Sequence, residues 1–270
     1  MGVRVSAGIL GFWVLCALGM HFIPLSPNLI HLEQILAPPG QGALLGFDDL
    51  GRDIGERLLV GARTSFLVAL WVVTLSSIAG TLIGTVSAYH GGMWDRIMVQ
   101  IIDIFLAFPG ILLAIALAGL LGPGIGNVVI ALAVVGWVGY ARLSRAQVLS
   151  LRHREHVMAA EVLGTRKIRI MTRHLLPLMA APLIIEATFG VAAVVIAEAG
   201  LSFLGLGVQP PDASWGAMIR DGTRYMLVAP HMVLAPGAAI VAVVWSVNLL
   251  GDRLRDVLDS RSAPDRGQTV

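Results

Sequence analysis

Long apolar runs separated by short charged or glycine-rich segments constrain this chain more than any single motif does. A helical membrane crossing needs about 20 mostly apolar residues. Six runs are candidates, at residues 5–25, 64–89, 97–121, 127–140, 175–206 and 228–250. Apolar residues make up 56% of the chain and charged residues 13%, about half the charge of an ordinary soluble domain. The pattern predicts an all-α membrane protein with six transmembrane helices and disfavours a soluble enzyme or a disordered chain.

The runs and the polar segments between them predict how the chain is divided. The predicted parts are a first transmembrane helix (1–25), an extracytoplasmic segment (26–63), a five-helix core (64–251) with a cytoplasmic loop at about 148–176, and a cytoplasmic tail (252–270). No small-residue cleavage site precedes Pro24, so the first helix is expected to be retained. Residues 54–62 resemble a short amphipathic helix at the membrane interface, and Pro109 predicts a kink in the third crossing.

The distribution of Lys and Arg predicts the orientation. With the amino terminus in the cytoplasm, 14 of the 19 Lys and Arg residues fall on the cytoplasmic side. Cytoplasmic loops carry such an excess. Six crossings then place both termini in the cytoplasm. The most basic stretch, Arg142–Arg173, becomes a cytoplasmic loop between the fourth and fifth crossings.

This basic loop has more structure than orientation requires. Residues 153–162 have a helix-forming composition, Gly164 is typical of a helix end, residues 165–176 suit a second helix, and Pro177 is expected to open the next membrane segment. The first helix carries a small apolar patch of Val157, Ala159, Ala160 and Leu163. Such a helix suits the groove of another protein. A loop that packs on its own chain, or arginines that only contact lipid phosphates, are the alternatives.

The loop also resembles a known signature. The spacing of Ala159–Ala160, Gly164 and Leu176–Pro177 is similar to the cytoplasmic motif of ABC importer permeases. Met158 stands where that family usually has Glu, and His174 stands where it usually has Ile. Residues 45–53, 197–207 and 248–259 resemble segments of the dipeptide, oligopeptide and nickel subgroup, closest to its second permease subunit, the C-subunit type. The resemblance covers nearly the whole chain and implies the type I ABC importer permease fold.

The resemblance implies partners and a coupling site. Members of the family form half of a translocation pathway with a second, usually non-identical permease subunit. Two ATPase subunits bind ATP and Mg²⁺, and an extracytoplasmic binding protein delivers the solute. The implied substrates are di- or oligopeptides, with nickel chelates, haem or glutathione as alternatives, and the implied location is the cytoplasmic (inner) membrane of a prokaryote. The implied ATPase-coupling residues are His156, Val157, Met158, Ala159, Ala160, Glu161, Leu163, Gly164, Thr165, Leu176 and Pro177.

The residues themselves predict no catalytic or metal site. The single lysine, Lys167, lies outside any G-x-x-x-x-G-K-[ST] sequence, so the chain has no phosphate-binding P-loop. A G-x-S-x-G elbow and an H-E-x-x-H motif are also missing from the sequence, and the seven histidines are scattered. We therefore expect no cofactor in this chain and no nucleic-acid partner. A self-contained secondary transporter or a membrane scaffold is the alternative from another class.

Three acidic residues lie within the apolar runs. A charge at the centre of a membrane costs about 2.5–3.5 kcal/mol on insertion scales, so each is a candidate functional residue. Asp103 is expected to pair with a basic loop residue. Glu186 is expected to face Arg142 or Arg145. Glu198 either lines the pathway or caps a break in its helix.

Overall fold

The computed structural model describes residues 2–19 and 25–260, with side chains as far as Leu258. These residues contain ten α-helices and one isolated β-bridge, between Phe47 and Asp53. The helices are α1 (Gly2–Gly19), α2 (Ile54–His90), α3 (Gly92–Leu106), α4 (Gly110–Leu121), α5 (Ile125–Leu151), α6 (Glu155–Val162), α7 (Lys167–Ile170), α8 (Leu176–Phe203), α9 (Trp215–Thr223) and α10 (His231–Ser260). Residues 20–24 of the predicted first crossing and 261–270 of the predicted tail lie outside this description.

The predicted all-α fold is confirmed, and the number of crossings depends on one broken helix. Five described helical stretches are long and apolar enough to cross a membrane: α1, α2, α5, α10 and the joined stretch Lys167–Phe203. The sixth requires α3 and α4 to be counted together, and these two are bent by 88°. Pro109 explains the break, since proline cannot donate to the preceding turn while its carbonyl accepts from Leu112 and Leu113 at the start of α4. The predicted kink is therefore a near right-angle turn.

The separate interfacial helix predicted at residues 54–62 is wrong. Helix α2 runs without a break through 37 residues, so this segment forms its first turns. No proline interrupts the stretch, and Gly61 is used for packing. A Cβ added at Gly61 would lie 2.6 Å from Trp215 Cδ1. Glycine here lets α2 approach the indole instead of ending the helix.

The predicted boundaries of the basic loop also need correction. Helix α5 extends to Leu151 and includes Arg142 and Arg145, which were expected in the loop. Pro177 lies in the first turn of α8, as expected, but there is no break before it, because residues 167–203 form one helical stretch. A π-helical turn at Met171–Leu175 precedes it, in which the Leu176 N–H donates to Met171 O. Pro177 has no N–H to donate to the preceding turn, and the wider π-helical turn tolerates this missing hydrogen bond. Similarly, residues 252–260 of the predicted tail continue α10.

The described chain forms two compact units, and the first comprises residues up to 72, 114–132 and 191–250. Two tryptophans anchor its core. Trp13 Nε1 donates to Ala62 O at 3.0 Å and Trp215 Nε1 donates to Leu58 O at 3.0 Å, so both indoles are tied to the backbone of α2. Their ring centroids lie 6.4 Å apart. A buried indole N–H needs an acceptor, and α2 supplies it where its first turns enter the core.

The second unit comprises residues 73–113, 133–190 and the described residues from 251 onward. Its part of α2 packs closely on α5 through two glycines. A Cβ at Gly80 would lie 2.3 Å from Trp137 O, and one at Gly84 would lie 2.2 Å from Ala141 O. Small residues at such positions allow the helix backbones to approach. This close contact holds together the ends of α2 and α5 on which helix α6 is packed.

Candidate functional site

Helix α6 presents one face to its own chain. Val157 and Ala160 are 1% and 8% exposed. They belong to one apolar cluster with residues of α2, α5 and the helical stretch that follows α6. Its buried members are Ala88, Val148, Leu151, Val157, Ala160, Ile170, Met171, Leu175 and Met179. Burial of this kind stabilises the helix through packing, which an eight-residue helix needs because it is marginal alone.

The other face of α6 carries apolar side chains that no described part of the chain covers. Met158, Val162 and Leu163 are 43%, 87% and 84% exposed. His156, Ala159 and Glu161 are exposed as well. The apolar patch predicted from the sequence is therefore divided between two faces, with Val157 and Ala160 inward and Ala159 and Leu163 outward. We call Met158, Val162 and Leu163 the outer apolar face.

Gly164 ends α6 in a geometry that requires glycine. Its φ is +76°, which lies in the left-handed region that residues with a side chain rarely adopt. The Gly164 N–H donates to Glu161 O at 2.9 Å and the Thr165 N–H donates to Ala160 O at 3.0 Å. These two bonds form a Schellman motif, which satisfies carbonyls at the helix end. The chain direction after α6 is thus fixed by one residue.

Leu176 and Pro177, which the resemblance implies as coupling residues at the end of the loop, differ from their neighbour Leu175 in exposure. Leu176 is 41% exposed and Pro177 is exposed, whereas their neighbour Leu175 is fully buried in the cluster below α6. The His174 ring lies 6.4 Å from the His156 ring, centroid to centroid. The structure thus brings His156–Thr165 and His174 together. Leu175, which sequence reasoning missed, contributes the buried contact.

An ion pair that sequence reasoning also missed joins three helices near this cluster. Arg145 on α5 donates from Nε and Nη2 to the Asp95 carboxylate on α3, both at 2.8 Å. The Ser87 hydroxyl on α2 donates to Asp95 Oδ1 at 3.0 Å. The expected pairing of Glu186 with Arg145 is wrong, since Arg145 is taken by Asp95. Within the described residues, Glu186 and Asp103 are exposed and form no ion pair within 4 Å.

We expect Asp95→Asn to destabilise this junction. The amide keeps the shape but loses the bidentate bond to a guanidinium, and a hydrogen bond to a charged group contributes roughly 1.5–3 kcal/mol. The thermal unfolding midpoint of the purified transporter should fall. Asp103→Asn on the same helix is the matched control and should leave the midpoint unchanged. Equal midpoints for both variants would contradict a bracing role for Asp95.

Glu198 lies inside the first unit and is 1% exposed. Its carboxylate accepts from Ser202 Oγ at 2.8 Å and from Ser65 Oγ at 3.0 Å. These contacts join α8 to α2. The pathway-lining hypothesis gains no support from this buried position, which points to a packing role.

The described residues contain no group of three or more His, Cys, Asp or Glu side chains placed to hold a metal ion. The polar groups near α6 instead sit around an apolar cluster. The site is therefore a packed helix with one exposed apolar face, a geometry suited to contact with another protein.

Comparisons with known proteins agree on one class. The profile of the family described as "Binding-protein-dependent transport system inner membrane component" matches residues 80–263. A putative peptide transport system permease protein of Brucella suis is 43% identical over 235 residues, which is 87% of this chain and 79% of that protein. The dipeptide transport system permease protein DppC of Alkalihalophilus pseudofirmus is 43% identical over 226 residues, 84% of this chain and 74% of that protein.

Two further similarities extend the comparison. The glutathione transport system permease protein GsiD of Escherichia coli is 43% identical over 234 residues, 87% of this chain and 77% of that protein. Among solved structures, an inward-facing conformation of the MetNI methionine ABC transporter matches with a TM-score of 0.61 and 18% identity, over 74% of this chain and 95% of that chain. At this identity the likeness concerns the fold alone, and it confirms the predicted importer permease fold.

Proposed function

Because the chain belongs to the family of binding-protein-dependent transport system inner membrane components, we propose that it forms half of the membrane pathway of an ATP-driven peptide importer. The relatives above are named for peptide, dipeptide and glutathione transport. All three names refer to peptides, which supports a peptide substrate over nickel chelates or haem.

The proposed assembly contains four further chains. A second permease subunit completes the pathway, two ATPase subunits bind ATP and Mg²⁺, and an extracytoplasmic binding protein delivers the peptide. The only lysine of this chain is outside a P-loop sequence, so the nucleotide is assigned to the partners and no catalytic residue to this chain. The excess of Lys and Arg supports cytoplasmic termini, with α6 on the same side.

The two faces of α6 carry this proposal. The outer apolar face of Met158, Val162 and Leu163 is available to a groove on the ATPase. The inner residues Val157 and Ala160 are packed against the ends of α2 and α5. A push on the outer face therefore reaches the membrane helices through side chains already in contact. ATP-driven closure of the ATPase dimer would bias the pathway between inward- and outward-facing states.

Charge on the outer apolar face is expected to release the ATPase. Leu163→Asp and Val162→Asp place a carboxylate where an apolar contact is proposed, and loss of one interface anchor commonly costs more than 1 kcal/mol. Copurification of the ATPase subunits should fall about tenfold. Leu44→Asp, at a residue 92% exposed outside the loop, is the matched control. Unchanged copurification of both α6 variants would contradict the docking assignment.

ATP-driven uptake by the complete transporter tests the function itself. Proteoliposomes that contain both permease subunits and the ATPases, supplied with the binding protein, should accumulate a labelled dipeptide only when ATP is present inside. The single chain in liposomes should accumulate none. Uphill uptake by the single chain would contradict the proposal and favour a self-contained secondary transporter.

A further inference from the structure

A cavity of about 480 Å³ lies in the first unit, apart from the candidate residues described above. Its walls come from α2, from the start of α5 and from residues 208–212. Small-molecule sites typically have volumes of about 300–1,000 Å³. The apolar part of the wall is formed by Val60, Leu67, Ile125, Val208 and Pro210. The cavity has the size and the lining of a site for a small organic solute.

Two opposite charges line this cavity. Arg63 on α2 and Asp212 in the segment 208–212 are both exposed. Within the described part of the chain, neither side chain forms a hydrogen bond or an ion pair within 4 Å. By contrast, Arg52 in the same unit is bound to Asp48 at 2.7 Å. Arg63 and Asp212 therefore do not neutralise each other and are both available to a ligand.

The backbone that carries these charges is fixed by hydrogen bonds. Thr64 Oγ1, next to Arg63, donates to Ala213 O, next to Asp212, at 3.1 Å. The Gly124 N–H donates to Leu206 O at 3.1 Å. Gln209 Nε2 donates to two glycine carbonyls, both at 3.0 Å. The three walls are thus tied to one another while the charged side chains are left unpaired. A rigid frame with unpaired polar groups is the arrangement of a preorganised binding site.

We propose that this cavity binds the two charged ends of a short zwitterionic peptide. Arg63 takes the carboxylate, since a guanidinium matches carboxylate geometry, and Asp212 takes the ammonium group. The apolar wall accommodates small side chains. This proposal rests on the proposed function and adds to it a ligand site on the permease itself. Under the proposed orientation, residues 60–67 and 208–212 lie toward the extracytoplasmic side, where a peptide released by the binding protein would arrive.

Direct binding to the complete transporter, without the binding protein, tests the site. The probe is the dipeptide Ala-Ala, followed by saturation-transfer NMR and titration calorimetry. We expect Arg63→Gln and Asp212→Asn each to weaken binding about tenfold, because each loses a charge-assisted bond. Arg224→Gln and Glu33→Gln remove exposed charges of the same unit that do not line the cavity and should bind as the unchanged protein does. A dipeptide with an acetylated amine and an amidated carboxylate should not bind.

The outcomes separate this site from the proposed function. If Ala-Ala does not bind, or if the blocked dipeptide binds equally well, the site is refuted, whereas normal ATP-driven uptake would leave the function intact. If the two variants lose uptake but still bind Ala-Ala with unchanged affinity, the charges serve contact with the binding protein, and the site is likewise refuted. Failure of the unchanged transporter to take up any peptide, while Ala-Ala still binds, would count against the function alone.

Discussion

Gly164→Pro is expected to abolish ATP-driven uptake while the protein stays in the membrane. Proline holds φ near −65°, whereas Gly164 has φ +76°. Proline also lacks the N–H that bonds to Glu161 O. Both bonds of the Schellman motif are then lost, and α6 no longer ends in the direction that keeps Val157 and Ala160 on the cluster below. Uptake should fall to background, and ATP hydrolysis by the complex should lose its dependence on the binding protein and peptide.

Gly164→Asn is the matched control for this prediction. Asparagine adopts left-handed backbone geometry more readily than other residues with a side chain, and it keeps the N–H. Among the described residues, a Cβ at Gly164 would meet nothing within 4 Å. We therefore expect Gly164→Asn to retain most of the uptake. If Gly164→Pro transported peptide normally, the end of α6 would have no role in coupling.

Ala160→Asp is a weaker probe of docking than the sequence suggests. The sequence places Ala160 in a motif that the resemblance associates with ATPase contact. The structure shows that this side chain is 8% exposed and packed inward. A carboxylate there would be buried among apolar side chains. This burial destabilises the fold whether or not the ATPase contacts the residue. Loss of activity in this variant would report on packing, so the exposed Leu163 is the better test.

Local chemistry explains which features could be predicted from the sequence. The helix before Gly164 and its glycine end follow from residues within one short segment, and α6 confirms them. The apolar runs predict six crossings, because hydropathy needs no knowledge of tertiary contacts; five described helices qualify, and the sixth only if α3 and α4 count as one span. The bend at Pro109 was visible as a kink, but its 88° angle was not, since an angle depends on what the next helix packs against.

The features that sequence missed depend on contacts distant along the chain. Asp95 and Arg145 are 50 residues apart, and no pattern within either segment indicates their pairing. Helix α2 continues through Gly61, where the missing side chain leaves room for Trp215. Only the fold reveals this contact. The same holds for Glu198. Its sequence signal, an acid in an apolar run, is common to a pathway residue and a buried packing residue, and only its partners distinguish the two.

Glu198→Leu is expected to destabilise the transporter more than the same change at Asp103 or Glu186, the other two acids in the apolar runs. Leucine fills a similar volume but leaves the buried hydroxyls of Ser65 and Ser202 without their acceptor. An unsatisfied buried donor costs roughly 1–3 kcal/mol, so the two together cost roughly 2–6 kcal/mol. The low end applies if the serines turn to carbonyls of their own helices. The thermal unfolding midpoint of the purified transporter, followed by tryptophan fluorescence, should fall markedly.

Two comparisons on the same helix distinguish packing from a pathway role. Glu198→Gln keeps an acceptor oxygen for one serine and should fall between Glu198→Leu and the unchanged protein. Glu186→Leu removes an exposed acid of α8 that has no ion pair in the described residues, and it should leave the midpoint near its original value. If Glu198→Leu unfolded at the original temperature yet raised the KM for a dipeptide, Glu198 would belong to the pathway. Since Glu198 is 1% exposed and its carboxylate is bonded to serines of two helices, we expect the loss in stability instead.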